Sequence, residues 1–277
     1  MIFYRILGND IPQRHGRDQT PSSLEFILRH EPEFAECEKR FLLNRIVDAA
    51  IGERLKSMLD AAGRKWQEIP FDQTEFRRLG TPVEKALYLT NQNAARNRCI
   101  DLALADSETA LPFDGQTFFT PDAWNRLLDG LRANPAARYV TVPMFRLSTN
   151  ATALARWDRI GVEDADHVRT EPQLVVRRGY DARYNETLNY GQANKVELLM
   201  RLGIRGPWDQ WPSALYQAIR GSVSSSRSQS FGNVPQAGFV FRLQSGNPIA
   251  DRDIDRRARA RMTGLNEFVA RVEAECR

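Results

Sequence analysis

The alternation of short apolar runs with helical stripes over the first seventy residues is what most constrains this chain. Ile2 to Leu7 has strand propensity and stops at Gly8-Asn9-Asp10, which are turn formers, with Pro12 barring a continuation. Beyond Pro21, Ser22 or Ser23 caps the segment SLEFILRHEPEF, whose Leu24, Ile27 and Leu28 share one helical face up to Glu31-Pro32. FLLNRIVD reads as a second strand. IGERLKSMLDAAG carries a helical stripe at Ile51, Leu55, Met58 and Leu59 and closes at Gly63, and KWQEIPF is a third strand. Parallel strands need helical crossovers, so this rhythm predicts an α/β fold with a mostly parallel central sheet flanked by helices.

The pattern continues after a charged stretch from Asp72 to Glu84. NQNAARNRCIDLALAD places Ala95, Cys99, Leu102 and Ala103 at helical spacing, so this helix is expected to pack on the sheet. A strand then ends in Asp114, a turn follows at Gly115, and Thr120-Pro121-Asp122 opens a helix, Thr being a good N-cap and Pro a good first residue. ARYVTVPMFRL reads as one continuous strand, Ser148 to Arg169 as an irregular or helical excursion, EPQLVVRRGY as a strand, and NKVELLMRLGI as a helix ended at Gly203. The expected organisation is one core over 1–203 and a C-terminal extension over 204–277 packing on the same domain. That extension holds a Ser-rich run, GSVSSSRSQS, read as a mobile loop, then the strand AGFVFRLQSGN and a terminal helix from Asp251.

Several function classes are excluded by what the chain lacks. No GxxxxGK[ST], no GxGxxG after the first strand and no GxSxG occur, which argues against a P-loop enzyme, a Rossmann dehydrogenase and an α/β-hydrolase. His15, His30 and His167 are scattered without paired spacing, so a zinc site is not expected. Cys37, Cys99 and Cys276 fit neither a disulfide framework nor a CxxC site. No apolar run approaches the roughly 20 residues that span a bilayer, and the N-terminus lacks the parts of a signal peptide, so a cytoplasmic location is expected. The net charge of +4 points mildly to an anionic ligand. The basic residues are spread along the chain, which argues against nucleic acid as a partner, and the one cluster, DRDIDRRARARMTG, reads as a solvated helix face.

Three local features bring a family into view. Ala95-Arg96-Asn97 on a helix shortly precedes LPFDG; Pro121 to Trp124 follows the acidic turn as a helix start; and EPQLVVRRGYDARYNETLNYGQANKVELLMRLG runs strand, loop, helix. In these the chain resembles a GT-A-type glycosyltransferase of the family-2-like branch, from Met1 to Gly203. It departs from that family at two places: the acidic triplet reads Asp114-Gly115-Gln116, so one carboxylate is an amide, and the acidic pair of the catalytic helix is replaced by Ala193-Asn194-Lys195.

The resemblance implies a nucleotide-sugar donor held at the carboxyl ends of the strands, where an open α/β sheet leaves a crevice. Asn9, Asp10 and Asn44 are the expected contacts to base or ribose, although Gly-Asn-Asp is also plain turn chemistry. Arg96 offers a bidentate fork to phosphate, with Asn97 and Gln116 beside it. Asp114 is the expected metal-facing carboxylate, binding Mn²⁺ or Mg²⁺ weakly or a ribose hydroxyl with no metal. Lys195 is expected to neutralise a leaving diphosphate where a metal is absent, and Arg242 to reach the site from the late strand. For the catalytic base the candidates are Glu186 and then Glu197, with Asp181, Glu163, Asp164 and Asp166 also available. Trp208 and Trp211 read either as core or as a sugar-stacking wall.

The expected function is transfer of a sugar from a nucleotide diphosphate to a glycan or other cytoplasmic acceptor. Two alternatives stand beside it: a nucleotide- or glycan-binding pseudoenzyme, motivated by the two departures, and a nucleotidyltransferase, which the missing Gly-rich phosphate loop disfavours.

Overall fold

In the computed structural model the described residues are 1–147, 149–166, 171–190, 194–206, 234–245 and 254–277. The Ser-rich run, Trp208, Trp211, His167 and Ala193 lie outside them.

The fold is α/β. The opening rhythm appears as β1 (Ile2–Leu7), α1 (Gln19–His30), β2 (Glu38–Asn44), α2 (Ala49–Ala61) and β3 (Lys65–Ile69). Gly63, at φ 63, ends α2 as expected of a glycine C-cap. The charged stretch that followed folds as α3 (Gln73–Arg78) and α4 (Pro82–Thr90), the latter opened by a capping box in which Thr81 and Glu84 satisfy each other's backbone. Next come α5 (Gln92–Asp106), β4 (Thr109–Asp114), β5 (Thr117–Phe118) and α6 (Pro121–Ala133), whose cap is Thr120.

The segment read as one strand is two. Pro143 supplies no N–H to a ladder, and the chain there leaves the first sheet as β6 (Tyr139–Val142) and enters a second as β7 (Met144–Leu147). The excursion holds α7 (Asn150–Arg156) and β8 (Ala165–Asp166). It is followed by β9 (Gln173–Arg177), α8 (Val196–Arg201), β10 (Val240–Arg242) and α9 (Ile254–Glu275).

The main sheet has six strands in the order β3-β2-β1-β4-β9-β6. The pairings β3·β2, β2·β1 and β1·β4 are parallel, but β9 runs antiparallel to both β4 and β6. The mostly parallel sheet expected is therefore a mixed one. A four-stranded sheet, β5-β10-β7-β8, abuts it.

Side-chain alternation along β1 divides the core. Ile2 and Tyr4 face Ala95, Cys99 and Ala103 of α5, while Phe3 packs with Phe113, Phe119 and Trp124 on the other face. Arg5 breaks the apolar series and is fully buried. It is answered by Glu31 at 2.5 Å, and Glu31 also takes Lys39 at 3.0 Å and the backbone N–H of Phe119 at 2.8 Å. That cluster ties the end of α1 to β1, β2 and the second sheet. Helix α9 buries Leu265, Phe268, Val269 and Val272 against Phe76, Tyr88 and Leu89 of α3 and α4. No helix among the described residues is long and apolar enough to cross a membrane.

Candidate functional site

Strands β1, β2 and β4 finish at one edge of the sheet, since Ile6 pairs with Asp114 and Leu7 with Leu43. The chain leaves that edge at Gly8-Asn9, Asn44 and Gly115-Gln116, and these residues line a cleft. Gly115 has to be small: a Cβ there would stand 2.3 Å from the Ile6 carbonyl oxygen, so the turn lies directly on the end of β1. The second sheet contributes from the other wall. Arg146 of β7 and Arg242 of β10 are register partners, and both line the cleft.

Asp114 is at the centre. Arg96 Nη2 donates to its Oδ1 at 2.9 Å, Lys195 Nζ to its Oδ2 at 3.1 Å and Gln173 Nε2 to the same oxygen at 3.1 Å, with Arg242 Nη1 3.7 Å away. Burial by itself would raise this carboxyl, but Lys195, Arg96 and Arg242 outweigh it and hold Asp114 well below the ordinary carboxylate range. Lys195 moves down to about 8: burial lowers it, Asp114 draws it back up, and Arg96 opposes it again. Arg96, 2% exposed, is aimed by Asn93, which accepts from its Nη1 at 2.8 Å. Arg242 Nη2 in turn donates to Gln116 Oε1 at 3.2 Å.

Asn9, Asn44, Arg96, Asp114, Gln116, Lys195 and Arg242 share one cleft. Their roles differ within it. The Asn9 amide is spent on the carbonyls of Arg45 and Leu89, and its oxygen takes the Val47 N–H at 2.9 Å, so it fastens the β1 and β2 loops together.

Among the described residues, Asp10, Asn97, Glu186 and Glu197 do not line the cleft. Asp10 accepts from the N–H and hydroxyl of Thr20 and clamps the start of α1. Asn97 brackets Tyr184, donating to its carbonyl and accepting from its N–H, and so pins the loop that follows β9. Glu186, expected as the base, is exposed and takes the Asn97 amide at 2.7 Å. Glu197 is buried on α8 and paired to Arg201 at 2.6 and 3.0 Å. Both carboxylates are committed elsewhere, Glu197 by an i,i+4 pair within its own helix and Glu186 by a contact between residues far apart in the chain.

Several lining residues were not anticipated: Arg146, Arg261, Tyr190, Glu171, Asn194 and His15. Arg261 belongs to the basic cluster read as a solvated face, and α9 turns it inward. Tyr190 is distinctive among the buried tyrosines. Burial raises such a hydroxyl, as at Tyr184, which goes to about 12; at Tyr190 the guanidiniums of Arg261, Arg14 and Arg242 outweigh burial and hold it below its ordinary value. The Arg261 guanidinium also sits 5.3 Å from the Tyr190 ring centre. Nothing local marks these residues in the sequence, except that Arg146 ends a clean strand.

Among the described lining residues, five cationic side chains, Arg96, Arg146, Lys195, Arg242 and Arg261, stand against two carboxylates, Asp114 and Glu171. The Nε atoms of Arg96 and Arg242 and the amide nitrogen of Asn194 are buried without a hydrogen-bond partner among the described residues. Buried donors in native proteins are ordinarily satisfied, so these fit a ligand rich in acceptors. A divalent cation does not fit: hard metals take several charged oxygens, whereas both oxygens of Asp114 already accept from cations or an amide. No group of three His, Cys, Asp or Glu converges among the described residues.

No family model matches the chain, and no curated protein matches it. The chemistry of the cleft is read from its own residues.

Proposed function

We propose that the cleft binds the diphosphate of a nucleotide-sugar donor without a metal and that the protein is a GT-A-like glycosyltransferase acting on a glycan or other small acceptor. The observation that carries this reading is the cage of Arg96, Lys195 and Arg242 around Asp114 at the carboxyl ends of β1, β2 and β4. An open α/β sheet binds ligands at that edge, and the excess of guanidinium and ammonium groups selects an anion. In a dry site these groups also stabilise the charge that develops on a departing diphosphate, the task a metal performs elsewhere.

Calorimetry with a panel of UDP-, GDP- and CDP-sugars tests this. Binding of at least one donor is expected, unchanged by EDTA. Arg96→Ala should weaken it by about tenfold to a hundredfold, the worth of a charge-assisted hydrogen bond. Absence of binding to every donor, with and without Mn²⁺, sinks the proposal.

A second reading, a nucleotide-binding protein without turnover, is favoured by one observation: Glu186 and Glu197 both point away from the cleft. Hydrolysis of a bound donor, lost in Asp114→Ala, would rule it out.

A further inference from the structure

Sugar transfer from a diphosphate requires a group that removes the acceptor's proton, and that group has to face the cleft beside the leaving diphosphate. The segment between β9 and α8 brings one there. Asn97 brackets Tyr184, and Asn93 holds the carbonyls of Asn185 and Asn194, so the stretch that delivers Lys195 is fastened to α5 at both ends. Tyr190 lies on that stretch and lines the cleft. Its ring is buried in one cluster with Ile11, Leu89, Leu265 and Phe268, which come from the β1–α1 loop, α4 and α9. Packing from three elements thus fixes where the hydroxyl stands.

Positive charge surrounds that hydroxyl. Arg14 of the β1–α1 loop, fully buried, hydrogen-bonds it. A guanidinium has no acceptor, so the phenol oxygen is the accepting partner in this contact and its own proton is not committed to it. The Arg261 guanidinium of α9 sits 5.3 Å from the ring centre, and Arg242 of β10 acts on the hydroxyl from the second sheet. Asp10, His15 and Tyr88 also stand on the elements packed around the ring; Asp10 accepts from Thr20, His15 from the Ile11 N–H, and Tyr88 from the Asp72 N–H. Burial raises the Tyr190 hydroxyl, but Arg261, Arg14 and Arg242 outweigh it and favour the phenolate. Arg242 belongs to the cage as well, its Nη1 3.7 Å from Asp114 Oδ2, so the phenol oxygen and the diphosphate site share one guanidinium.

We propose that the Tyr190 oxygen is the catalytic base of this cleft, an inference that rests on the transferase reading. As the acceptor oxygen bonds to the anomeric carbon, its proton passes to the phenolate oxygen of Tyr190. The bond from that carbon to the diphosphate oxygen breaks, and the electron pair leaves on the diphosphate, held by Arg96, Lys195 and Arg242. Solvent takes the proton from Tyr190 before the next turnover. Water in place of the acceptor gives donor hydrolysis by the same route.

The test measures donor hydrolysis or transfer across pH, and UDP binding by calorimetry, in wild type, Tyr190→Phe, Arg261→Met, Glu171→Gln and a protein with fluorotyrosine in place of Tyr190. Tyr190→Phe should lower kcat by about a hundredfold or more, leave UDP affinity within about threefold, and abolish the acid limb of the pH profile. Fluorine makes the phenol more acidic and should move that limb to lower pH, whereas Arg261→Met, which removes a cation, should move it to higher pH; a purely structural tyrosine produces neither shift. Glu171→Gln should keep an acid limb. The inference is overturned if Tyr190→Phe keeps its rate, if it loses UDP affinity in step with rate, if fluorination leaves the limb in place, if Glu171→Gln abolishes the limb, or if wild type binds donor and never turns it over. Failure of wild type to bind any donor overturns the transferase reading itself, and this inference with it.

Discussion

Asp114 shows how a single side chain is defined by what surrounds it. An isolated carboxylate at a strand end reads as a metal ligand, but three cations and an amide occupy its oxygens, so it acts as the counterion that lets Arg96, Lys195 and Arg242 remain buried together. Removing one partner of a buried charge cluster leaves the rest uncompensated, a cost of about 3 kcal/mol or more. Asp114→Asn should therefore lower the melting temperature, and UDP should raise it by more in the variant than in wild type, because the ligand supplies the missing negative charge. A smaller rise in the variant would show that the anion binds elsewhere. Lys195 supplies a pH test. Its folded value of about 8 lies below the ordinary 10.5, so between those values the unfolded chain holds a proton the folded chain has lost, and stability rises with pH across that window. Anion affinity has the opposite trend, falling as Lys195 loses its charge above about 8. Lys195→Met should remove both trends; a wild-type UDP affinity that is flat from about pH 7 to 9.5 would contradict the assignment.

Secondary-structure elements decide which of these residues meet. Helix α5 carries a buried polar stripe, in which Asn93 aims Arg96 and holds the carbonyls of Asn185 and Asn194, while Asn97 holds Tyr184. The motif is legible in the sequence, but only one of its residues, Arg96, reaches the cleft; the others attach the segment that delivers Lys195. The turn after β4 is equally exacting. Gly115→Ala forces that turn off the Ile6 carbonyl and shifts Asp114 against its cations, so UDP affinity should fall at least about tenfold, with a stability loss of about 1–3 kcal/mol in thermal unfolding. Glu31→Ala provides the contrast. It strands Arg5 and Lys39 in the core and should cost about 3–5 kcal/mol, yet molecules that remain folded should bind UDP as wild type does.

At the scale of the whole molecule the cleft is a joint product of distant parts: β1, β2 and β4 of the main sheet, Arg146 and Arg242 of the second sheet, and Arg261 of the terminal helix. Helix α9 comes so close to the β1–α1 loop that a Cβ on Gly264 would lie 2.0 Å from the Pro12 carbonyl oxygen. Gly264→Val should lift the helix, withdraw Arg261 and weaken UDP binding severalfold; unchanged affinity in a folded variant would remove Arg261 from the site. Local sequence was enough for the α/β class, for β1 to β3 with α1 and α2 between them, for α5 and β4, for the Thr120 cap of α6, and for the turn chemistry at Gly63 and Gly115, because propensity, periodicity and capping act over a few residues; the charged stretch from Asp72 hid α3 and α4. It also marked Arg96, Asp114, Lys195 and Arg242. Long-range packing settled that β9 runs antiparallel, that Pro143 sends the chain to a second sheet, that Glu186 is bound to Asn97, and that Glu171, Arg146 and Arg261 line the cleft. Strand direction and the inward turn of a charged face are set by pairings between residues far apart in the chain, and local sequence carries no record of them.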